Sequence, residues 1–309
     1  MEVQEFVGAL FNIALVVMIV ATMVSAGFTT TVAALGSVLR KVWLVLLVLV
    51  TGLLIRPLVG WGTAELFNLA APAYIAMVLL AVVPGAPLGV KFVMGAKADV
   101  TTGATFQVLL AVVASFTFAS SANFILERAD LGEGVSLPVG ELLKTIVFLQ
   151  VLPFVVGLLI RRWNEKRALE WNVFAGKIIG PSFLAVVVLA LLSSWQMIVD
   201  LIGDRVLLAG IVFVVVMIAV GYFVSQGGYK TRAATALIQP GSNSGPTFAA
   251  VAIAFNNDPA ILGAVTALIF MQIVVAAPIG TWMGRNQEDP AGEDQGASDA
   301  EMAEGTTNV

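Results

Sequence analysis

The stretch 82-VVPGAPLGVKFVMGAK-97 lies within a long apolar run, yet it contains two prolines, three glycines and the charged residue Lys91. Proline lacks the backbone donor that a helix needs, and glycine has a low helix propensity. The sequence therefore predicts an unwound segment at residues 84–89 inside an otherwise helical span. Unwound backbone cannot face lipid, so protein or a water-filled cavity must surround it.

A second stretch, 239-QPGSNSGP-246, interrupts another apolar run with the same residue types. One such interruption is more often an ordinary proline kink, packed against neighbouring helices. Two interruptions at matching places in the two halves of a membrane protein are instead typical of a transporter's binding site.

The composition places the chain in the membrane. Hydrophobic residues make up 59% of its 309 residues and charged residues only 12%, whereas soluble domains carry about 25% charged residues. The absence of cysteine and histidine excludes disulfides, thiolate metal sites and histidine-dependent catalysis. A membrane-embedded enzyme is therefore only a distant alternative. Residues 286–309 hold seven acidic residues and no basic one, which predicts a disordered acidic tail without a nucleic-acid-binding signature.

Nine segments are long and apolar enough to cross a bilayer, which takes about 20 residues. We predict an all-α membrane domain over residues 1–285 with nine spans, at approximately 7–27, 41–61, 72–96, 100–125, 140–160, 175–198, 205–225, 231–256 and 259–284.

Lysine and arginine residues set the predicted orientation. The odd-numbered loops and the C-terminal end carry ten of them, whereas the even-numbered loops carry only Arg128 and Arg205. The N-terminus is therefore predicted outside the cell membrane and the tail in the cytoplasm. In this orientation spans 1–4 and 6–9 form an inverted repeat, and the two broken helices run in opposite directions.

Pro84-Gly85 in the first break, and Asn243-Ser244-Gly245 followed by an alanine-rich helix in the second, resemble the bile acid:sodium symporter family. The similarity extends over residues 7–285. It implies that the two broken helices cross in a core of spans 2, 3, 4, 7, 8 and 9. Spans 1, 5 and 6 would form a panel, with the substrate bound between panel and core.

The sodium ligands of that family are largely missing from this chain. Where sodium-coupled members carry polar ligands, the sequence has Pro87 to Val90, Gly103 and Gln107, and a glutamate of the family is replaced by Ile238. A hard cation prefers about six oxygen ligands, including a carboxylate. No metal or other cofactor is therefore predicted, and a weak sodium site near Gln107, Ser242 and Asn243 stays open as an alternative.

Lys91 is the principal candidate for a functional side chain, because a lysine at membrane depth costs about 3 kcal/mol unless it is paired or solvated. Its ammonium could bind a substrate carboxylate, replace the missing sodium at the crossing, or reach cytoplasmic water along its stem. Arg56, near the outer end of the second span, is predicted to be only an interfacial anchor. The other candidates for the substrate pathway lie at the breaks or face the expected cavity, and they are Pro84, Gly85, Pro87, Gly89, Gln107, Gln239, Pro240, Ser242, Asn243, Ser244 and Asn12.

These features predict a secondary transporter that moves a small carboxylate-bearing or amphipathic organic anion by alternating access. A sodium-independent exporter or uniporter, proton-coupled or uncoupled, is the alternative. Besides the anion and the lipid bilayer, the sequence indicates no partner, and it leaves the oligomeric state open.

Overall fold

A computed structural model describes residues 3–129, 131, 135–200, 205–285 and 287, so all of the predicted tail except Gln287 lies outside the described residues. All regular secondary-structure elements in these ranges are helices. The α-helices are α1 (Val3–Thr29), α2 (Val32–Leu39), α3 (Val42–Val50), α4 (Arg56–Leu66), α5 (Ala71–Ala81), α6 (Leu88–Gly95), α7 (Val100–Leu126), α8 (Val139–Ile146), α9 (Leu152–Trp163), α10 (Glu165–Asp200), α11 (Arg205–Val224), α12 (Tyr229–Ile238), α13 (Ser244–Ala254) and α14 (Pro259–Gly284). Two π-helical segments, Thr51–Ile55 and Val147–Val151, join α3 to α4 and α8 to α9.

Six helical stretches within the described residues are long and apolar enough to cross a membrane. They are Ala9–Thr29, Val42–Leu66, Val100–Leu126, Val139–Trp163, Arg205–Val224 and Pro259–Gly284. The third and eighth predicted spans are each divided into two shorter helices, and the sixth lies within the 36-residue helix α10. The all-α membrane fold is thus confirmed, while the count of nine spans and the inverted repeat stay predictions.

Both predicted interruptions are confirmed, with slightly different limits. The first occupies residues 82–87, because Leu88 and Gly89 already belong to α6, and the second occupies residues 239–243, because α13 begins at Ser244. The prolines at positions 87 and 246 explain why each break ends earlier than predicted. Proline is tolerated at the start of a helix, where its missing donor would have no partner in any case.

Helices α1, α9 and α10 pack on one another. Gly27 on α1 faces Gly157 on α9, and a Cβ atom added to Gly27 would come within 2.8 Å of the Gly157 Cα atom. Two facing glycines allow helix backbones in a membrane to approach this closely. Helix α14 contacts α5, α6, α11 and α13 in a second group of packed helices.

Loops that the predicted topology places on one side of the membrane lie together. The Tyr229 hydroxyl lies within hydrogen-bonding distance of the Ala96 and Met283 carbonyls, at 3.1 and 2.7 Å, and so joins the start of α12 to the ends of α6 and α14. The side chain of Arg205 similarly reaches the Phe67 carbonyl, at 3.5 Å, and links two loops of the opposite side.

Candidate functional site

The two helix breaks contact each other through their backbones. Pro84 and Ser242 form an isolated antiparallel bridge, and the Asn243 amide donates a 2.9 Å hydrogen bond to the Val83 carbonyl. Near this point a Cβ atom on Gly89 would lie 3.2 Å from the Ile238 Cα atom, so the start of α6 abuts the end of α12. The two predicted helix breaks therefore contact each other, and we call residues 80–87 and 239–243 the crossover.

Gly85 is required in the crossover for two reasons. Its φ of +96° lies in the region that residues with a side chain rarely adopt. A Cβ atom at this position would also lie 2.7 Å from the Ala111 amide nitrogen and 2.8 Å from the Gln107 carbonyl oxygen of α7. The first break is therefore held against α7 by direct backbone contact.

Arg56 lies at the centre of the crossover, and its prediction as an interfacial anchor is wrong. Its side chain is fully buried. One edge of the guanidinium donates to the Leu80 and Ala81 carbonyls at the end of α5, at 2.7 and 2.6 Å. The remaining donors reach the second break, where the acceptors are the Gln239 carbonyl at 2.8 Å, the Ser242 hydroxyl at 2.7 Å and the Pro240 carbonyl at 3.4 Å.

The position of Arg56 follows from the unpaired carbonyl groups at helix C-termini. Helices α5 and α12 both end at the crossover, so the negative ends of their dipoles converge there. No carboxylate contacts Arg56 in the described part of the chain, and the ring of Phe213 lies 5.3 Å from its guanidinium carbon. The charge is thus balanced by carbonyl and hydroxyl oxygens rather than by an acidic residue.

A cavity of about 210 Å³ lies beside the crossover, between α1, α6, α10, α13 and α14. Among the described residues that line it, Lys91 is the one ionisable residue. The Lys91 side chain is exposed and has neither a hydrogen bond nor an ion pair with the described residues. The rest of the wall is largely apolar and includes Met18, Ile19, Phe92, Phe183 and Ile273.

Two helix N-termini also face this cavity. Pro87 and Leu88 at the start of α6, and Asn243, Ser244 and Gly245 at the start of α13, are lining residues. Neither helix has a side-chain cap on its first amides. The positive end of a helix dipole attracts anions, so both helix N-termini favour a negative charge in the cavity, as the ammonium of Lys91 does.

Two buried glutamines, which the sequence analysis did not select, fix the polar side chains of the second break. Gln272 of α14 accepts from the Ser242 amide at 2.9 Å and donates to the Ser242 hydroxyl at 2.8 Å. Gln150, in the second π-helical segment, accepts a 2.9 Å hydrogen bond from the Asn243 side chain. A glutamine inside an apolar span was the available signal, because a polar side chain at that depth needs a partner.

The predicted site residues separate into three groups. Pro87, Lys91, Ser242, Asn243 and Ser244 line the cavity, whereas Pro84, Gly85, Gly89 and Pro240 form the crossover or pack against it. Gln107 and Gln239 are buried outside the cavity wall, and Asn12 is exposed and does not line the cavity.

The residues suggested for a weak sodium site are not gathered around one point in the cavity. Gln107 is not a lining residue. The Ser242 hydroxyl already accepts from Arg56 and Gln272 and donates to the Leu80 carbonyl at 2.9 Å. We also find no group of three or more acidic residues that could hold a metal ion within the described ranges.

A family model described as the Sodium Bile acid symporter family matches residues 14–226. The match includes the first break, Arg56, Lys91 and Gln150, and it ends before the second break. No curated protein matches the chain. Because the family match extends over more than half of the sequence, the chain belongs to the sodium bile acid symporter family.

Proposed function

We propose that this chain is a secondary transporter that binds a small organic anion in the cavity beside the crossover. The observation that carries the proposal is the combination of the Lys91 ammonium and two uncapped helix N-termini on a wall whose described residues include no acidic one. Such a wall favours a negative charge at one end of the ligand. The apolar side chains around it favour a hydrophobic body at the other end.

The proposed movement is that of a panel against a core. Helices α1, α9 and α10 pack together, and α1 and α10 form one side of the cavity, while α6, α13 and α14 form the other. A cavity between two groups of helices changes its opening when one group rocks against the other. We assign α1, α8, α9 and α10 to the panel and the remaining spans to the core.

In the proposed orientation the N-terminus lies outside the cell membrane and the C-terminus in the cytoplasm. The distribution of lysine and arginine supports this orientation. Contacts of the loops near Ala96, Tyr229 and Met283 support the alternation of the spans.

Ligand binding to the purified full-length chain tests the proposal. We expect aliphatic and aromatic monocarboxylates to raise the unfolding temperature, and the neutral amides of the same acids to have no comparable effect. Lys91→Gln should weaken carboxylate binding about tenfold to a hundredfold, since a hydrogen bond to a charged group contributes about 1.5–3 kcal/mol. Lys91→Arg should keep most of the affinity.

Lys97→Gln is the matched control. Lys97 is the next lysine along the chain, but its ammonium contacts the Gln287 carbonyl, at 2.9 Å, away from the cavity. Carboxylate affinity should be unchanged in this variant. Equal binding of acids and amides, or equal losses in the Lys91 and Lys97 variants, would contradict the proposal. Uptake of a bound carboxylate into proteoliposomes then distinguishes a transporter from a membrane enzyme or sensor.

A further inference from the structure

The crossover presents a set of oxygen atoms of the kind that binds a metal cation. Four backbone carbonyls and one hydroxyl converge on a single point, from Leu80, Ala81, Gln239, Pro240 and Ser242. Hard cations such as sodium or calcium take about six ligands of this type. Here the convergent oxygens surround the guanidinium of Arg56.

We propose that Arg56 is a permanently bound internal cation, which gives the crossover the positive charge that a dissociable sodium ion would otherwise supply. Its donors reach the end of α5 and the second break, so the guanidinium joins the ends of α5 and α12. It is covalently attached to the second span and cannot leave during a transport cycle. Assembly of the crossover therefore needs no sodium.

The burial of Arg56 supports a role of its charge rather than of its bulk alone. Its side chain has no exposed surface, and removing a charge from water is costly unless the charge is fully hydrogen-bonded. Arginine is suited to this environment because its planar guanidinium presents five donors and is weakly hydrated. All three nitrogens of Arg56 have acceptors at the crossover.

Lys91 does not compete for this role. It lies on the cavity wall and makes no hydrogen bond to the carbonyls of the crossover. Two positive charges thus have separate tasks, with Arg56 holding the crossover together and Lys91 remaining available to a ligand. This inference rests on the proposed function and adds a statement about its coupling ion. Its test requires no substrate, so a failure of the inference can be distinguished from a failure of the proposed function.

The test measures the unfolding temperature of the purified full-length chain in sodium, potassium and choline chloride at equal ionic strength. We expect the wild-type value to be the same in all three salts. A selective increase in sodium would overturn the inference. This comparison decides the question even if no variant at position 56 can be purified.

Arg56→Ala leaves the oxygens of the crossover without a cation. We expect a lower unfolding temperature that is partly restored by sodium, or by guanidinium ion below denaturing concentrations, and not by choline. Arg56→Met is the matched control, because its side chain fills the space and should prevent either ion from restoring stability. The inference is contradicted if neither ion raises the unfolding temperature of Arg56→Ala. It is also contradicted if Arg56→Ala is as stable as the wild type.

A conservative variant separates charge from shape. Arg56→Lys keeps the charge but offers fewer donors, so its unfolding temperature should be reduced, independent of sodium, and higher than that of Arg56→Gln. The reverse order of the lysine and glutamine variants would contradict the role of Arg56 as an internal cation.

Discussion

The guanidinium of Arg56 and the hydroxyl oxygen of Ser242 lie 2.7 Å apart, although 186 positions separate the two residues in the chain. The same hydroxyl donates to the Leu80 carbonyl and accepts from Gln272. Through these three hydrogen bonds, the Ser242 hydroxyl connects the second break to α4, to the end of α5 and to α14. Its full set of hydrogen bonds explains why it is a poor candidate for a mobile ion ligand.

Ser242→Ala should destabilise the chain more than other serine substitutions near the cavity. It removes an acceptor from Arg56 and a donor from the Leu80 carbonyl, and unpaired buried groups cost about 1–3 kcal/mol. The free energy of unfolding in mixed micelles measures the loss. Ser244→Ala is the control, since Ser244 is the first residue of α13, lines the same wall, is less buried and has no side-chain hydrogen bond among the described contacts. Equal losses in the two variants would argue against the network.

Gly85→Ala should disrupt the contact between the first break and α7. The positive φ of Gly85 alone costs a residue with a side chain about 1–3 kcal/mol, and the added Cβ atom would clash with the Ala111 amide. We expect a lower unfolding temperature and weaker carboxylate binding, because the start of α6 lines the cavity.

Gly62→Ala serves as the control for Gly85→Ala. A Cβ atom on Gly62 meets no other atom within 4 Å, and Gly62 lies inside the helix α4. Alanine should stabilise that helix by about 0.5–1 kcal/mol. The prediction is wrong if the two alanine variants shift the unfolding temperature in the same direction by similar amounts.

The hydrogen bond between Gln150 and Asn243 should be measurable as a coupling energy. Interhelical hydrogen bonds in membranes contribute about 0.6 kcal/mol on average and up to about 1.7 kcal/mol. A double-mutant cycle with Gln150→Ala and Asn243→Ala, measured by unfolding, should give a value in this range. A cycle that pairs Gln150→Ala with Ser244→Ala should give a coupling near zero.

The proposed orientation predicts the side from which single cysteines are labelled. The chain has no native cysteine, so Ser37→Cys and Ser136→Cys each introduce one exposed thiol. A membrane-impermeant maleimide added to intact cells should label position 136 and leave position 37 unlabelled until the cells are opened. The opposite pattern would invert the assignment of inside and outside.

The sequence by itself determined the helical membrane class and the two helix breaks. Proline and glycine act on the backbone of their own segment, so Pro84-Gly85 and Pro240-Gly241 can be read without knowing their neighbours. The resemblance carried by these segments also led to the correct family.

Only the tertiary structure decided which polar side chains meet at the crossover. Hydropathy and span limits assign a residue to a depth, but they do not identify the face or the partner of its side chain. Arg56 was therefore predicted to be an interfacial anchor, although its acceptors belong to residues that are 24 to 186 positions away. Asn12 was expected to face the cavity but lies outside its wall, and Gln150 and Gln272 were not selected. The physical reason is that a buried polar group is stabilised by partners that folding brings together, whereas a helix break is a property of the local chain.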